Sequence, residues 1–167
     1  LGPIFSLTID GYNINIKDRI VITGNMSRSN ALINSLLTTA GIPADVTQVA
    51  FFTNAINTIT KGIDFVFGGS PKLGKGILDL TLASNFTENK IDGTAKTTDK
   101  LPADQFGNTF FNRLEKSRIE VGQPRHKIAA SLGYSIRDFS FNFRGTDFGK
   151  VAVWDATNTA LDENFSS

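Results

Sequence analysis

The sequence predicts a mainly β fold, an antiparallel up-and-down meander with one short helix in a connecting loop. Two observations carry this prediction. Ser, Thr and Asn together number 43 of the 167 residues and Phe numbers 14, and this mixture of small polar, β-branched and aromatic residues favours sheet. Apolar and polar residues also alternate over several long stretches, which is typical of strands with one apolar and one polar face.

The clearest alternation lies in residues 77–88. Apolar residues take the even positions and polar residues the odd ones: Leu78, Leu80, Leu82 and Phe86 against Asp79, Thr81, Asn85 and Thr87. Residues 127–136 and 139–144 repeat the pattern, the second with Phe139, Phe141 and Phe143 on its apolar parity. Two residues, Arg137 and Asp138, separate these runs, so they predict a hairpin.

Two further strands are predicted nearer the N-terminus. Residues 57–67 alternate and are followed by Gly68-Gly69-Ser70-Pro71, which is a turn signal. In residues 5–22 the apolar residues change from odd to even positions near Asp10 and Gly11. We therefore expect a β-bulge at Asp10-Gly11.

One helix is predicted in the first long connection. Leu32, Ile33, Leu36, Leu37 and Ala40 recur at spacings of three and four, as on one face of a helix. Ser29 is placed to cap the start, and Gly41 followed by Ile42-Pro43 supplies the stop. Residues 110–120 are a second, weaker helical candidate.

The predicted connections alternate between long and short. Residues 23–49 and 89–125 form long links, whereas residues 68–76 and the Arg137-Asp138 pair form short ones. Alternate connections of an up-and-down meander lie at the same end of the sheet. All long links are therefore expected at one end and all short ones at the other.

Composition excludes several classes of function. Lys and Arg number 17 against 16 for Asp and Glu, and a net charge of +1 is too small to attract nucleic acid by itself. The absence of cysteine excludes thiolate metal sites and Cys nucleophiles, and a single histidine, His126, excludes a His-pair metal site. We find no catalytic constellation, and we expect no enzyme activity, no cofactor and no nucleic-acid partner.

Two architectures fit the alternation and the unequal loops. Outer-membrane barrels have short turns at one rim, long loops at the other, and strands that are apolar towards lipid and polar towards the lumen. A soluble β-sandwich has one strand face on its core and the other in water. Periodicity leaves both open, because a lipid-facing parity and a core-facing parity look the same in a sequence.

Three segments resemble, in the same order along the chain, segments of the TonB-dependent outer-membrane receptors. Residues 7–20 (LTIDGYNINIKDRI) are similar to the family's D-x-Y-x-I-x-I-x-D-R-I strand. Residues 51–64 (FFTNAINTITKGID) are similar to its F-x-N-A-x-x-T-x-x-x-G-x-D pattern. Residues 118–127 (RIEVGQPRHK) resemble the segment before its penultimate hairpin.

The resemblance implies that residues 1–167 are a C-terminal segment of a transmembrane β-barrel, with about five strands and long external loops. The family's plug domain is not expected within them. The whole protein would import a large scarce nutrient, such as a metal chelate, cobalamin or a glycan, across a bacterial outer membrane. An inner-membrane protein would supply the energy through the plug. The alternative is a soluble β-rich ligand-binding or adhesion module.

The resemblance also assigns roles to the strand residues. Six side chains are expected to face lipid: Leu78, Leu80, Leu82, Phe139, Phe141 and Phe143. Asp79, Thr81 and Asn85 are expected to face a water-filled interior, while the ligand-binding residues are left open. The outer strands of this segment would present unpaired backbone groups, so in the isolated segment we expect self-association through the sheet edges or a partial collapse over the loop helix.

A basic cluster surrounds the third motif. It contains Arg113, Lys116, Arg118, Arg125 and Lys127, and it predicts either a solvated loop face or contact with an anionic ligand such as lipopolysaccharide. Phe106, Phe110 and Phe111 precede it, and we expect them to pack the loop together.

Overall fold

Five long strands form one antiparallel sheet in the computed structural model, which describes residues 4–96 and 110–166. The strands are β1 (Phe5–Ile22), β2 (Met26–Ser27), β3 (Gln48–Val49), β4 (Phe52–Gly69), β5 (Lys72–Leu73), β6 (Gly76–Asp92), β7 (His126–Ile136), β8 (Phe139–Phe148), β9 (Val151–Val153) and β10 (Glu163–Phe165). The helices are α1 (Ala31–Thr39) and α2 (Arg113–Glu120), with a 3₁₀ turn at Thr159–Leu161.

The main sheet is an up-and-down meander. Its long strands lie in the order β1-β4-β6-β7-β8, so strands that follow one another along the chain are neighbours in the sheet. The short strand β5 pairs with β6, and two small two-stranded sheets, β2-β3 and β9-β10, lie in the connections. The predicted antiparallel meander of about five strands is confirmed.

The unequal connections fall as predicted. Residues 70–75 and the Arg137-Asp138 pair make the short turns at one end of the sheet. Residues 23–51 and 93–125 make the long connections at the other, which we call the loop end. Arg137 has φ 49°, in the left-handed region that favours glycine, so the two-residue hairpin turn carries a residue that is not ideal for it.

The predicted bulge at Asp10-Gly11 is wrong. Pairing between β1 and β4 runs without a break from Phe5 to Ile16, and the register shifts lie between Ile16 and Ile20. Within that interval Asp18 has φ 54°, and its amide donates to the side-chain oxygen of Asn57. The strand is regular at residue 10. The apolar residues change from odd to even positions because Ile14 and Ile16 lie on the other face of the sheet from Leu7 and Ile9.

The long connections fold against the sheet at the loop end. One buried cluster joins Met26, Ile33 and Phe110, and another joins Ile56 and Phe111. Backbone bonds also link the loops, because the Gly24 amide donates to the carbonyl of Phe110 at 2.8 Å. Apolar packing in the described residues is therefore concentrated in the loops and not on the broad faces of the sheet.

Both helices begin at an asparagine. Asn30, and not the predicted Ser29, caps α1 by accepting from the amides of Leu32 and Ile33. Gly41, with φ 73°, ends α1 as predicted. The expectation of a single loop helix is wrong, because the weaker candidate at residues 110–120 forms α2 with Asn112 as its N-cap.

Arg28 holds the first long connection together. Its guanidinium donates to the carbonyls of Val46, Ile42 and Pro43 at 2.8, 2.7 and 3.0 Å. It also donates to Asn34 Oδ1 at 2.8 Å and to Thr38 Oγ1 at 3.2 Å on α1. A planar group with five donors satisfies acceptors that no other side chain could reach together.

We predict that Arg28→Met lowers the free energy of local unfolding of residues 23–51 by about 2 kcal/mol, because three backbone carbonyls lose a charged donor. Amide hydrogen exchange at Ala40, Gly41 and Ile42 should accelerate roughly thirtyfold, while exchange in the main sheet stays unchanged. Arg125→Met is the matched control, since no hydrogen bond or ion pair of the Arg125 side chain is found in the described part of the chain. Equal exchange in the two variants would contradict the role of Arg28.

Candidate functional site

One face of the main sheet, which we call the apolar face, carries all six side chains that the sequence predicts to face lipid. Register places Leu80 opposite Leu132 and Leu132 opposite Phe143. Leu78 lies opposite Tyr134, which lies opposite Phe141, and directly opposite residues of an antiparallel pair share a face. The apolar residues of this face are Phe5, Leu7, Ile9, Ile63, Phe65, Phe67, Leu78, Leu80, Leu82, Phe86, Ile128, Ala130, Leu132, Tyr134, Ile136, Phe139, Phe141 and Phe143. The same face also carries Ser84, several glycines and, at its β7-β8 corner, the paired side chains of His126 and Asp147.

The apolar face is open along its length. Phe139, Phe141 and Phe143 are 68%, 66% and 75% exposed, whereas Leu78, Leu80 and Leu82 are half-buried between neighbouring strands. A phenylalanine presents on the order of 200 Å², so these three alone expose roughly 400 Å². The largest apolar patch on a typical soluble monomer is itself about 300 to 600 Å², and here the patch continues across four more strands.

The apolar face ends at a row of polar residues, the polar belt, formed by Asn13, Lys61 and Glu88 on three neighbouring strands. Below this belt the apolar stretch on β6 runs from Leu78 to Phe86 and is interrupted at Ser84. That stretch is nine residues long, and a strand needs about 9 to 11 residues to cross a bilayer. The belt lies on the side of the loop end.

The opposite face of the sheet, which we call the polar face, carries Asp79, Thr81 and Asn85, and their exposure to a water-filled interior stays a prediction. Asn85 Nδ2 donates to Asp64 Oδ1 at 2.5 Å and to the Tyr12 hydroxyl at 3.1 Å. The Tyr12 hydroxyl is also hydrogen-bonded to Thr87. A hydrogen-bonded network therefore joins β1, β4 and β6 on this face.

Gly62 makes room for the Tyr12 ring. It lies directly opposite Tyr12, and a Cβ at this position would meet the ring and would lie 2.6 Å from the carbonyl oxygen of Phe86. The ring can therefore cross β4 and reach Thr87 on β6 only because residue 62 has no side chain. The same arrangement recurs on the apolar face, where Phe5 covers Gly69.

We predict that Gly62→Ala destabilises the sheet by about 1 to 3 kcal/mol, because the methyl group displaces Tyr12 and strains the backbone. The midpoint of denaturant unfolding measures this loss. Gly11→Ala is the matched control: Gly11 lies on the neighbouring strand, and its Cβ would meet nothing within 4 Å. A loss of stability in the control as large as that of Gly62→Ala would contradict the role given to Tyr12.

The basic cluster is divided by the fold. Arg113 pairs with Asp162 at 2.7 Å and lies over the Trp154 ring, which ties α2 to the C-terminal segment. Arg118 pairs with the buried Glu115 at 2.8 Å, and Lys127 lies over the Phe148 ring. Three of the five cations therefore have partners within the chain, and contact of the cluster with an anionic ligand stays a prediction.

Two of the three aromatic residues beside the basic cluster pack the loop, as predicted. Phe110 and Phe111 are each 2% exposed and belong to the two buried clusters of the loop end. Phe106 lies outside the described residues.

A tight turn at Asp155 closes the C-terminal segment. The backbone amides of Thr157 and Asn158 donate to Asp155 Oδ1 at 2.9 and 2.8 Å. These bonds favour the ionised carboxylate and lower the pKa of Asp155 below its usual 3.8. The stabilisation is fully present above pH 3.8 and is lost as the pH falls through the lowered pKa of the folded state.

We predict that the amide resonances of Thr157 and Asn158 titrate together in an NMR pH series, with a midpoint below 3.8. Asp155→Asn should abolish this transition, because the amide oxygen still accepts but does not titrate. A midpoint at or above 3.8 would contradict the assignment.

The described residues contain no group of three or more His, Asp or Glu side chains placed to share a metal ion. None of the helices in residues 4–96 and 110–166 is long and apolar enough to span a bilayer. No protein-family model, curated protein or solved structure matches this chain. Function must therefore be argued from the two faces of the sheet and from the loop end.

Proposed function

We propose that this chain forms part of the wall of an outer-membrane active transporter of the TonB-dependent receptor type. The observation that carries the proposal is the open apolar face, nine residues high on β6, with a polar belt at its upper limit and long loops beyond the belt. The height matches what a strand needs to cross a bilayer. The three sequence segments that resemble this family add independent support.

In this proposal the two faces of the sheet have separate tasks. The apolar face, with Leu78, Leu80, Leu82 and the three phenylalanines of β8, lies against outer-membrane lipid. The polar face, with its Tyr12, Asp64 and Asn85 network, lies against the water-filled interior. The loop end extends outwards, where the imported nutrient arrives, and coupling to the inner-membrane energy source belongs to a plug domain.

A soluble β-rich ligand-binding or adhesion module is the second candidate. The packed loop end favours it, because Arg28 and the two buried clusters hold the long connections in defined positions, as a binding surface requires. The open apolar face argues against it. A soluble module would need a further layer over that face, and in the described residues the side chains there remain up to 75% exposed.

We predict that the chain, refolded from urea with phospholipid vesicles, floats with the lipid in a density gradient and that Leu80→Lys prevents this. A lysine at the bilayer midplane costs about 2 to 4 kcal/mol, so membrane partitioning should fall roughly thirtyfold or more. Thr81→Lys is the matched control, because the next residue of the same strand lies on the polar face and is exposed.

Two results would count against the membrane proposal. Equal flotation of the two lysine variants would mean that the apolar face does not contact lipid. A wild-type chain that stays in the aqueous fraction, folded without detergent, would favour the soluble module.

A further inference from the structure

A shallow hollow lies on the polar face where β6, β7 and β8 run side by side. Its volume is about 310 Å³, at the lower limit of small-molecule sites. Its floor is one row of the sheet, in which register places Ala83 opposite Ala129 and Ala129 opposite Thr146. The two alanines leave a depression because Arg144 and Lys127, on the neighbouring rows, are far longer side chains.

Two cations border the floor from opposite sides. Arg144, opposite Ser131, lies one row from Ala129 towards the short turns, and Lys127 lies one row from it towards the loop end. Rows of one face are two residues apart, roughly 7 Å, so both long side chains can reach a group held over the floor. Lys127 also lies 5.2 Å from the ring of Phe148, a contact that leaves ammonium N–H donors for another acceptor.

The other donors around the hollow have no acceptor. No hydrogen bond or ion pair of the Arg144 and Thr146 side chains is found in the described part of the chain, and the same holds for the hydroxyls of Thr81 and Ser131. Together with Lys127, two positive charges and three hydroxyl groups therefore line one depression.

The carboxylates of the same face have other partners. Asp64 accepts from Asn85 at 2.5 Å, and Asp79 accepts from the Ser70 hydroxyl at 2.7 Å. Asp10 lies beyond Asp64, on β1. None of the three forms an ion pair with the two cations in residues 4–96 and 110–166, so the positive charge of the hollow is not neutralised there.

We propose that this hollow binds a phosphomonoester, with its phosphate beside Thr146 between Arg144 and Lys127 and its apolar part on Ala83 and Ala129. A phosphate monoester carries about 1.5 to 2 negative charges at neutral pH and three acceptor oxygens, which satisfies both cations and the hydroxyl. A carboxylate has one charge and two oxygens, and the guanidinium alone would satisfy it.

The inference goes beyond the proposed function. The polar face meets water in both candidate functions, so the hollow is accessible whether or not the apolar face contacts lipid. A neighbouring strand beyond β8 would border the hollow beside Arg144 and Thr146 without crossing its floor, because Ala83 and Ala129 lie on the inner strands β6 and β7.

Titration of the chain with phenyl phosphate in non-ionic detergent tests the site. The ligand should shift the amide resonances of Ala129 and Thr146 in NMR spectra. Arg144→Gln and Lys127→Gln should each weaken binding roughly tenfold or more, because each removes a charged donor. Lys75→Gln is the matched control and should bind like the wild type, because it removes the same charge from the exposed turn between β5 and β6, outside the hollow.

Two comparison ligands separate the phosphate from the apolar part. Benzoate keeps the ring but carries a carboxylate, and it should bind roughly tenfold or more weakly than phenyl phosphate. Inorganic phosphate lacks the ring and should also bind more weakly, by a margin that Ala129→Val removes because the larger side chain fills the floor. Equal binding of benzoate and phenyl phosphate would overturn the phosphate assignment, and an unchanged margin in Ala129→Val would overturn the placement of the ring.

Two results would overturn the site itself. A wild-type chain that binds no phenyl phosphate would show that the donors do not act together. Equal weakening in Lys75→Gln and Arg144→Gln would mean that anions are attracted only by the net charge. Neither result bears on flotation with lipid, which tests the membrane proposal separately.

Discussion

The constraint on which the structure depends is the two-residue period of the strand. Because successive side chains point to opposite faces, a meander with unbroken register must collect its apolar residues on one side. Here the register from β4 to β8 keeps Phe67, Leu82 and Ala130 in one row and Phe65, Ser84 and Ile128 in the next. The sheet consequently carries an apolar face that no other element of the described chain covers, and every functional hypothesis must name what covers it.

The loop end is held together by its own contacts, which must offset the conformational entropy lost when two long connections are ordered. The chain leaves the main sheet there for 29 residues between β1 and β4 and for 33 residues between β6 and β7, and ordering each residue costs about 1 to 2 kcal/mol of conformational entropy. Burial of Ile33, Phe110 and Phe111, together with the Arg28 hydrogen bonds, offsets that cost locally. The loops are thus held without support from the apolar face, which leaves that face free for another contact.

Alternation in the sequence predicts the strands, the hairpin and the common face of Leu78, Leu80, Leu82 and the β8 phenylalanines correctly, because strand geometry alone fixes these features. It fails at Asp10-Gly11, because not every apolar residue of β1 belongs to the apolar face. Ile14 and Ile16 lie on the polar face, opposite Thr60 and Thr58. The Tyr12 network could not be predicted, because it depends on Gly62 of another strand being opposite the ring. Arg28 contacts five groups that only the folded loop brings together, so its role had no local signal either.

A bilayer and neighbouring strands satisfy different parts of a sheet. Lipid satisfies the side chains of the apolar face but offers nothing to backbone groups along the edges of a sheet, which cost several kcal/mol each when they are left without a hydrogen-bond partner in lipid. Edge pairing satisfies those groups but leaves most of the apolar face exposed. If the apolar face enters lipid, the edges of the sheet therefore require neighbouring strands as well, as the closed wall of a barrel supplies.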